Sequence, residues 1–222
     1  ARLLGVDFLA EACSPYPSVE DQAAAVLAAA DAAGFDRFRI VGASYGGVVA
    51  MAVALVAPER VGALDILCAA ARPHPMASAW RSIQRDIIAL AQAAGLPETG
   101  VDIARRLAMT TYRTPEEFAE RFSSLDEVER YLGACGARHA ARTSPQRALA
   151  LSRSLDAADL AVEAIRCPTR FLGVTSDRLV PPDDIAATAA RISGAACTFI
   201  ESRYGHDGFL KEVEAVNAFL TA

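Results

Sequence analysis

The chain has 222 residues, room for one large domain or a small pair, and 53% of them are apolar, enough for a substantial core. Its net charge is −5 and it carries no lysine- or arginine-rich run, which argues against nucleic acid as a partner. The five cysteines (Cys13, Cys68, Cys135, Cys167 and Cys197) are scattered, odd in number and without C-x-x-C spacing, so a reduced, cytosolic protein is expected and a metal site is not supported.

The chain opens at Ala1-Arg2-Leu3-Leu4 with no signal-peptide pattern and no initiator methionine, so an earlier native start is expected. Leu3 to Leu9 reads as a buried strand, with Asp7 near its end as a turn cap. Ser14-Pro15-Tyr16-Pro17 reads as a loop. Ser18, answered by Asp21, is a capping box for an alanine-rich helix that ends at Gly34. Phe38 to Val41 is the next strand, Gly46 to Ala57 the next helix, and Ala63 to Ala69 a third strand.

Between that second strand and its helix lies Gly42-Ala43-Ser44-Tyr45-Gly46, the G-x-S-x-G pattern of a nucleophile elbow. Such a turn strains a serine and pushes its hydroxyl outward, and flanking glycines let strand and helix approach without Cβ clashes. The pattern alone is weak. The strand before it and the helix after it are the context the motif requires. Ile40 to Ala57 is also an uncharged run near membrane-spanning length, but Gly42, Ser44, Gly46 and Gly47 interrupt it. A buried strand followed by a helix buried on all sides is the better account.

This β-α-β-α-β order implies a parallel sheet, whose ligands collect at the carboxyl ends of the strands. From Arg72 to about Arg166 strand signals cease. Thr114-Pro115-Glu116-Glu117 and Ser124-Leu125-Asp126-Glu127 read as capping boxes, and Ser144-Pro145 opens another helix. Residues 72–166 are therefore expected to be a helical lid inserted into an α/β core of residues 1–71 and 167–222; a separate helical domain is the alternative. Strands at Thr169 to Val174 and Cys197 to Ile200 resume the sheet. Helices follow from Pro181-Pro182-Asp183-Asp184 to Gly194 and from Phe209 to Leu220, giving five strands in all.

A serine hydroxyl needs a base to take its proton. The three histidines are His74, His139 and His206. His206 lies between the last strand and the last helix, at the same sheet edge as Ser44. His74 reads as a lid-hinge contact and His139 as solvated. An acid must orient the imidazole. Asp177 follows a strand at that edge, whereas Asp183 and Asp184 look like first-turn helix acids. The order Ser44, Asp177, His206 is that of α/β-hydrolases.

The sequence resembles the homoserine O-acyltransferases, α/β-hydrolase-fold enzymes of methionine biosynthesis, over most of its length. The resemblance rests on Gly42-Ala43-Ser44-Tyr45-Gly46-Gly47, on Ala104-Arg105-Arg106 through Thr110-Thr111-Tyr112-Arg113, and on Glu120-Arg121-Phe122. It extends to Ser176-Asp177-Arg178-Leu179-Val180-Pro181 and Gly205-His206-Asp207-Gly208-Phe209-Leu210. Ala43 and Tyr45 stand where Gly and Met are usual. The resemblance implies that Ser44 takes an acetyl or succinyl group from acyl-CoA, with His206 as base and acid and Asp177 orienting it. It also implies an oxyanion contact from the Tyr45 N–H. Arg105 and Tyr112 would hold the carboxylate of L-homoserine, and Asp207 its amino group. It implies no cofactor beyond acyl-CoA as co-substrate and a homodimer, and it adds neither a metal nor a membrane to the reading of the residues above. It also implies a missing N-terminal portion, cut away or carried on another chain, that supplies further strands and a second oxyanion N–H. Serine as acceptor, an esterase with the same triad, and a non-catalytic fragment are the competing readings.

Overall fold

The computed structural model describes residues 2–9 and 16–222. Cys13, Ser14 and Pro15 lie outside them. Four parallel strands form one sheet in sequence order: β1 (Phe38–Ala43), β2 (Val61–Leu67), β3 (Thr169–Val174) and β4 (Ala196–Ile200). Strand alternation sorts their side chains. From β1 and β2, Phe38, Ile40, Leu64 and Ile66 point into the larger core, with Phe171 from β3. On the opposite face, Leu67 and Leu172 meet Val216 and Phe219 of the closing helix.

The larger core is organised around α2 (Tyr45–Val56), which packs against α1 (Val19–Ala32) and lies over β1 and β2. Every residue of α2 from Gly47 to Ala54 is buried, so this helix needs no polar stripe. Ile185 and Ala189 of α8 (Pro182–Ala190) complete the layer. The smaller face is covered by α9 (Gly208–Lys211) and α10 (Val213–Thr221), one expected helix in two pieces. There Asp65, fully buried on β2, accepts from Arg39 and from Arg170 Nε at 2.8 Å. A buried carboxylate is tolerable only with such partners.

Between β2 and β3 run five helices: α3 (Pro75–Ala93), α4 (Pro97–Tyr112), α5 (Pro115–Arg121), α6 (Leu125–Ala140) and α7 (Pro145–Asp156). Their starts follow the expected side chains. Thr114, Ser124 and Ser144 accept from Glu117, Glu127 and Arg147 N–H groups. Only Ser18 and Asp21 close a reciprocal box. Glu117 turns instead to Arg113 and Arg121, and Glu127 accepts from the Ser123 N–H at 2.7 Å. Those ion pairs and the neighbouring donor outcompete the cap.

The strand expected at Leu3 to Leu9 is absent. The segment is irregular, Leu3 is almost wholly exposed, and the sheet has four strands among the described residues rather than five. It is held by side chains: Gln22 bonds both the N–H and the C=O of Leu9, at 2.8 and 2.7 Å, and Asp7 pairs with Arg147 at 2.7 Å. The N–H and C=O of Leu9 thus find a partner other than the edge of β1. An apolar cavity of about 890 Å³ separates it from β1, and Val41 on that strand is 51% exposed. No helix among the described residues is long and apolar enough to cross a membrane.

Candidate active site

β1 ends at Ala43 and α2 begins at Tyr45, leaving Ser44 alone in the turn with φ +52° and ψ −124°. That backbone is costly for a residue with a Cβ, of order 1–3 kcal/mol. Its bonds hold it there: Ser44 N–H donates to Leu67 O at 2.8 Å, and Ser44 O accepts from Gly47 N–H at 2.9 Å. A Cβ on Gly42 would lie 2.3 Å from Gly46 O, and one on Gly47 2.6 Å from the Ala69 Cβ. A Cβ on Gly46 would meet nothing nearer than the Phe8 ring, at 3.7 Å. The crowding thus falls on Gly42 and Gly47. It does not fall on the second glycine of the motif, contrary to the symmetric expectation.

His206 sits in a single 3₁₀ turn, Gly205–Asp207, between β4 and α9. Its Nε2 is 2.9 Å from Ser44 Oγ and its Nδ1 2.7 Å from Asp177 Oδ2. His206 is 4% exposed and Asp177 3%. Asp177 Oδ1 accepts the backbone N–H groups of Leu179 and Val180, at 2.8 and 2.9 Å. Those bonds fix the carboxyl plane. With the imidazole proton on Nδ1 facing Asp177, the Nε2 lone pair faces the serine hydroxyl. Asp183 and Asp184 lie in the first turn of α8.

The histidine loop is clamped by the helical block. Gly205 has φ +60°, and a Cβ there would lie 2.8 Å from Tyr112 O, so the position requires glycine on both counts. Thr114 Oγ1 donates to Arg203 O at 2.6 Å. The Tyr112 and His206 rings are 5.8 Å apart, which brings Tyr112 beside the imidazole. Arg105 stands over the Tyr112 ring at 5.1 Å with Nη1 3.5 Å from its hydroxyl, and it has no carboxylate partner among the described residues. The neighbouring Arg106 pairs with Asp102 instead. Asp207 is engaged differently: Arg113 Nε lies 2.8 Å from its Oδ2, and Arg113 also reaches Glu117. The role of Arg113 was not apparent in the sequence; its place directly after Tyr112 was the available signal.

Tyr45, whose backbone N–H is the first of α2 and has no intrahelical acceptor, hydrogen-bonds through its hydroxyl with Ser154 Oγ at 2.6 Å. Burial raises the pKa of that phenol. Burial, then Asp177, holds the Cys68 thiol well above its usual range, so it stays protonated near the triad. His74 accepts from Met76 N–H as the cap of α3 and lines the pocket at Ser44. His139 is half-buried near Arg105, not solvated as its sequence suggests; burial first, and Arg105 second, lower its pKa. Packing of α6 on α4 is what draws it in. Among the described residues no cluster of His, Cys, Asp and Glu is suited to a metal ion.

Known proteins resemble this chain at two levels, sequence and fold. The chain is 38% identical to a homoserine O-succinyltransferase of Xanthomonas campestris pv. campestris, over 99% of this chain and 63% of that protein. It is 36% identical to a homoserine O-acetyltransferase of Deinococcus radiodurans, over 96% and 66% of the two. The chain thus spans about two thirds of the length of these relatives. Among solved structures, homoserine O-acetyltransferase from Staphylococcus aureus superposes with a TM-score of 0.81 at 28% identity, over 95% of this chain and 67% of that one. Esterase E22 reaches the same TM-score at 16% identity, which speaks to the fold alone. A model described as the alpha/beta hydrolase family matches residues 4–219. The breadth of that match, taken with the parallel sheet and the elbow at Ser44, makes the wider kinship plain: the chain belongs to the alpha/beta hydrolase family.

Proposed function

We propose that this chain carries the acyl-transfer centre of a homoserine O-acyltransferase. In the proposed reaction Ser44 Oγ attacks the thioester carbonyl of acyl-CoA while its proton passes to His206 Nε2. The tetrahedral intermediate collapses, the C–S bond breaks, and His206 returns the proton to the departing thiolate. The hydroxyl of homoserine then gives its proton to His206 and attacks the acyl-enzyme carbonyl, and Ser44 leaves with that proton restored. Asp177 orients the imidazole throughout. The Tyr45 N–H stabilises the oxyanion. Arg105 and Tyr112 receive the amino acid's carboxylate. Asp207 receives its ammonium through the oxygen that Arg113 does not occupy. The helices from α3 to α7 form the lid over this cavity.

The observation that carries this reading over a plain esterase is Arg105. Among the described residues it is a guanidinium without a carboxylate partner, seated on the ring that flanks the imidazole. A zwitterionic acceptor needs such a cation, and an ester substrate does not. The test is thiol release from acetyl-CoA and succinyl-CoA, with and without homoserine. Release that depends on homoserine and falls at least about 10⁴-fold in Ser44→Ala supports transfer. Release indifferent to the amino acid overturns it in favour of hydrolysis.

The unpaired edge of β1 beside the 890 Å³ cavity supports a second part of the reading. We assign to that edge the further N-terminal strand, and to its loop the second oxyanion N–H. The expected result is that a longer polypeptide including the preceding residues turns over faster than the 222-residue chain. Equal rates would remove this assignment and leave the triad untouched.

A further inference from the structure

β3 and β4 deliver the acid and the imidazole of the triad, but their ladder stops short of both. The last pair in register is Val174 with Ile200, and Thr175 N–H adds one bond to Ile200 O at 3.1 Å. Among the described residues no backbone bond joins the two segments beyond that point. Asp177 then follows in a tight turn, closed by its N–H on Val174 O at 3.1 Å, and His206 follows at the end of a longer loop. Two loops of unequal length must nevertheless meet in a contact of 2.7 Å between Nδ1 and Oδ2. Strand pairing does not reach far enough to set that distance.

The hydroxyl of Ser176 takes over where the ladder ends. Its Oγ accepts the Gly205 N–H at 3.2 Å and donates to Ser202 O. The residue directly before the acid thus grips the residue directly before the imidazole, and the start of the same turn as well. Inside the turn, Ser202 Oγ accepts the Tyr204 N–H at 3.1 Å. Thr175, the other hydroxyl at this strand end, donates instead to Glu201 Oε2 at 3.1 Å on the exposed side. On the side of the helical block the loop has the bond from Thr114 to Arg203 O; on the side of the sheet it has Ser176.

We propose that Ser176 is a positioning residue, whose hydroxyl locks the acid loop to the histidine loop and so sets the Asp177–His206 geometry. The inference rests on the triad of the proposed acyl-transfer centre and requires neither homoserine nor CoA. Alanine at this position removes both bonds and leaves the N–H of the buried Gly205 without its acceptor. The loop can then shift against Asp177, and the imidazole loses its alignment on Ser44 Oγ.

The test is hydrolysis of p-nitrophenyl acetate, which loads and unloads Ser44 without either proposed substrate, measured well below the melting transition of each variant. Ser176→Ala should lower kcat about tenfold or more with KM nearly unchanged, because the tie acts on the chemical step. Ser176→Thr, which keeps the hydroxyl, should recover most of that loss, and Thr175→Val should match the parent chain. The proton between His206 Nδ1 and Asp177 should give a far-downfield NMR resonance that shifts or broadens in Ser176→Ala and persists in Thr175→Val. Asp177→Asn removes the partner through which Ser176 acts, so adding Ser176→Ala to it should cost no more than about twofold. An unchanged kcat or resonance in Ser176→Ala, an equal loss in Ser176→Thr or Thr175→Val, or losses that multiply in the double variant overturn the role of Ser176. Ester hydrolysis that survives Ser44→Ala overturns the triad and this role with it. Failure of homoserine transfer is read in its own assay and does not enter these outcomes.

Discussion

Around α2 the sheet core packs Met51, Val53, Leu64, Ile66 and Phe171 with essentially no exposure, and one apolar cluster spans α1, α2, β2, β3 and α8. Across the sequence from α3 to α7 the only comparable cluster among the described residues is Ile88, Val101 and Ala104 with a few half-buried neighbours. There charge does part of the joining: Arg81 and Arg85 of α3 pair with Asp156 of α7, and Arg113 at the end of α4 with Glu117 of α5, while Arg121 on Glu117 and Arg106 on Asp102 pair within their own helices. Close packing tolerates little displacement, whereas partly solvated ion pairs re-form after it. The part that holds Ser44 is the stiff one, and the part that would admit the two substrates of the proposed reaction is the adjustable one.

The largest blow to this contrast falls on the elbow. Gly42→Ala drives a Cβ into the Gly46 carbonyl, with backbone on both sides and nothing able to yield, so a loss of about 3 kcal/mol or more is expected. Gly46→Ala, which meets only the edge of Phe8, should cost less than about 1 kcal/mol. Denaturant midpoints measure both, and equal losses would mean that the crowding is not where the backbone puts it. Asp156→Ala strands two mostly buried guanidiniums and should cost about 2 kcal/mol, discounted for their partial exposure. Hydrogen exchange should show the loss in α3 and α7 while β2 and β3 stay protected; uniform loss would mean that the two regions unfold as one.

Thr114→Ala removes both the cap of α5 and the bond to Arg203 O, for about 1–2 kcal/mol. It should lower kcat more than a cap elsewhere, because the histidine loop loses a tie. Ser124→Ala is the control, and equal kcat values for the two would remove that link. The smallest effect is on pH dependence. His139 titrates below its ordinary value when folded, so the unfolded chain binds this proton first as pH falls. Its contribution to stability is complete above about pH 6.5 and is lost as pH drops through the folded value. His139→Gln should flatten that part of the stability profile, and an unchanged slope would mean that the ring is solvated after all.

Strand order was legible because each strand of the core is a short apolar run bounded by a turn, and parallel order then follows from the helices between. That order is what carries residues 44, 177 and 206 to one edge. The segment from Leu3 to Leu9 misled because an apolar run has the same composition whether or not a strand stands beside it; pairing is a property of neighbours. The ends of the helices in the central block were legible from Thr114, Ser124 and Ser144. What lay beyond the sequence was partner choice among arginines. Arg105 and Arg106 are adjacent, yet one meets Asp102 and the other a tyrosine ring, which depends on the helix face each occupies. Arg113 was quoted in the sequence without a role for the same reason, since an arginine's role is fixed by what it lacks or finds in space.

The fit of Gly205 against the Tyr112 carbonyl has a consequence for anyone who would exchange parts among relatives. The imidazole is not mounted on the sheet alone; its loop is keyed into the turn that leaves α4, with no gap for a methyl group. A chimera that imports a foreign cover without the matching key should assemble, yet hold the His206 imidazole out of line with the Ser44 hydroxyl.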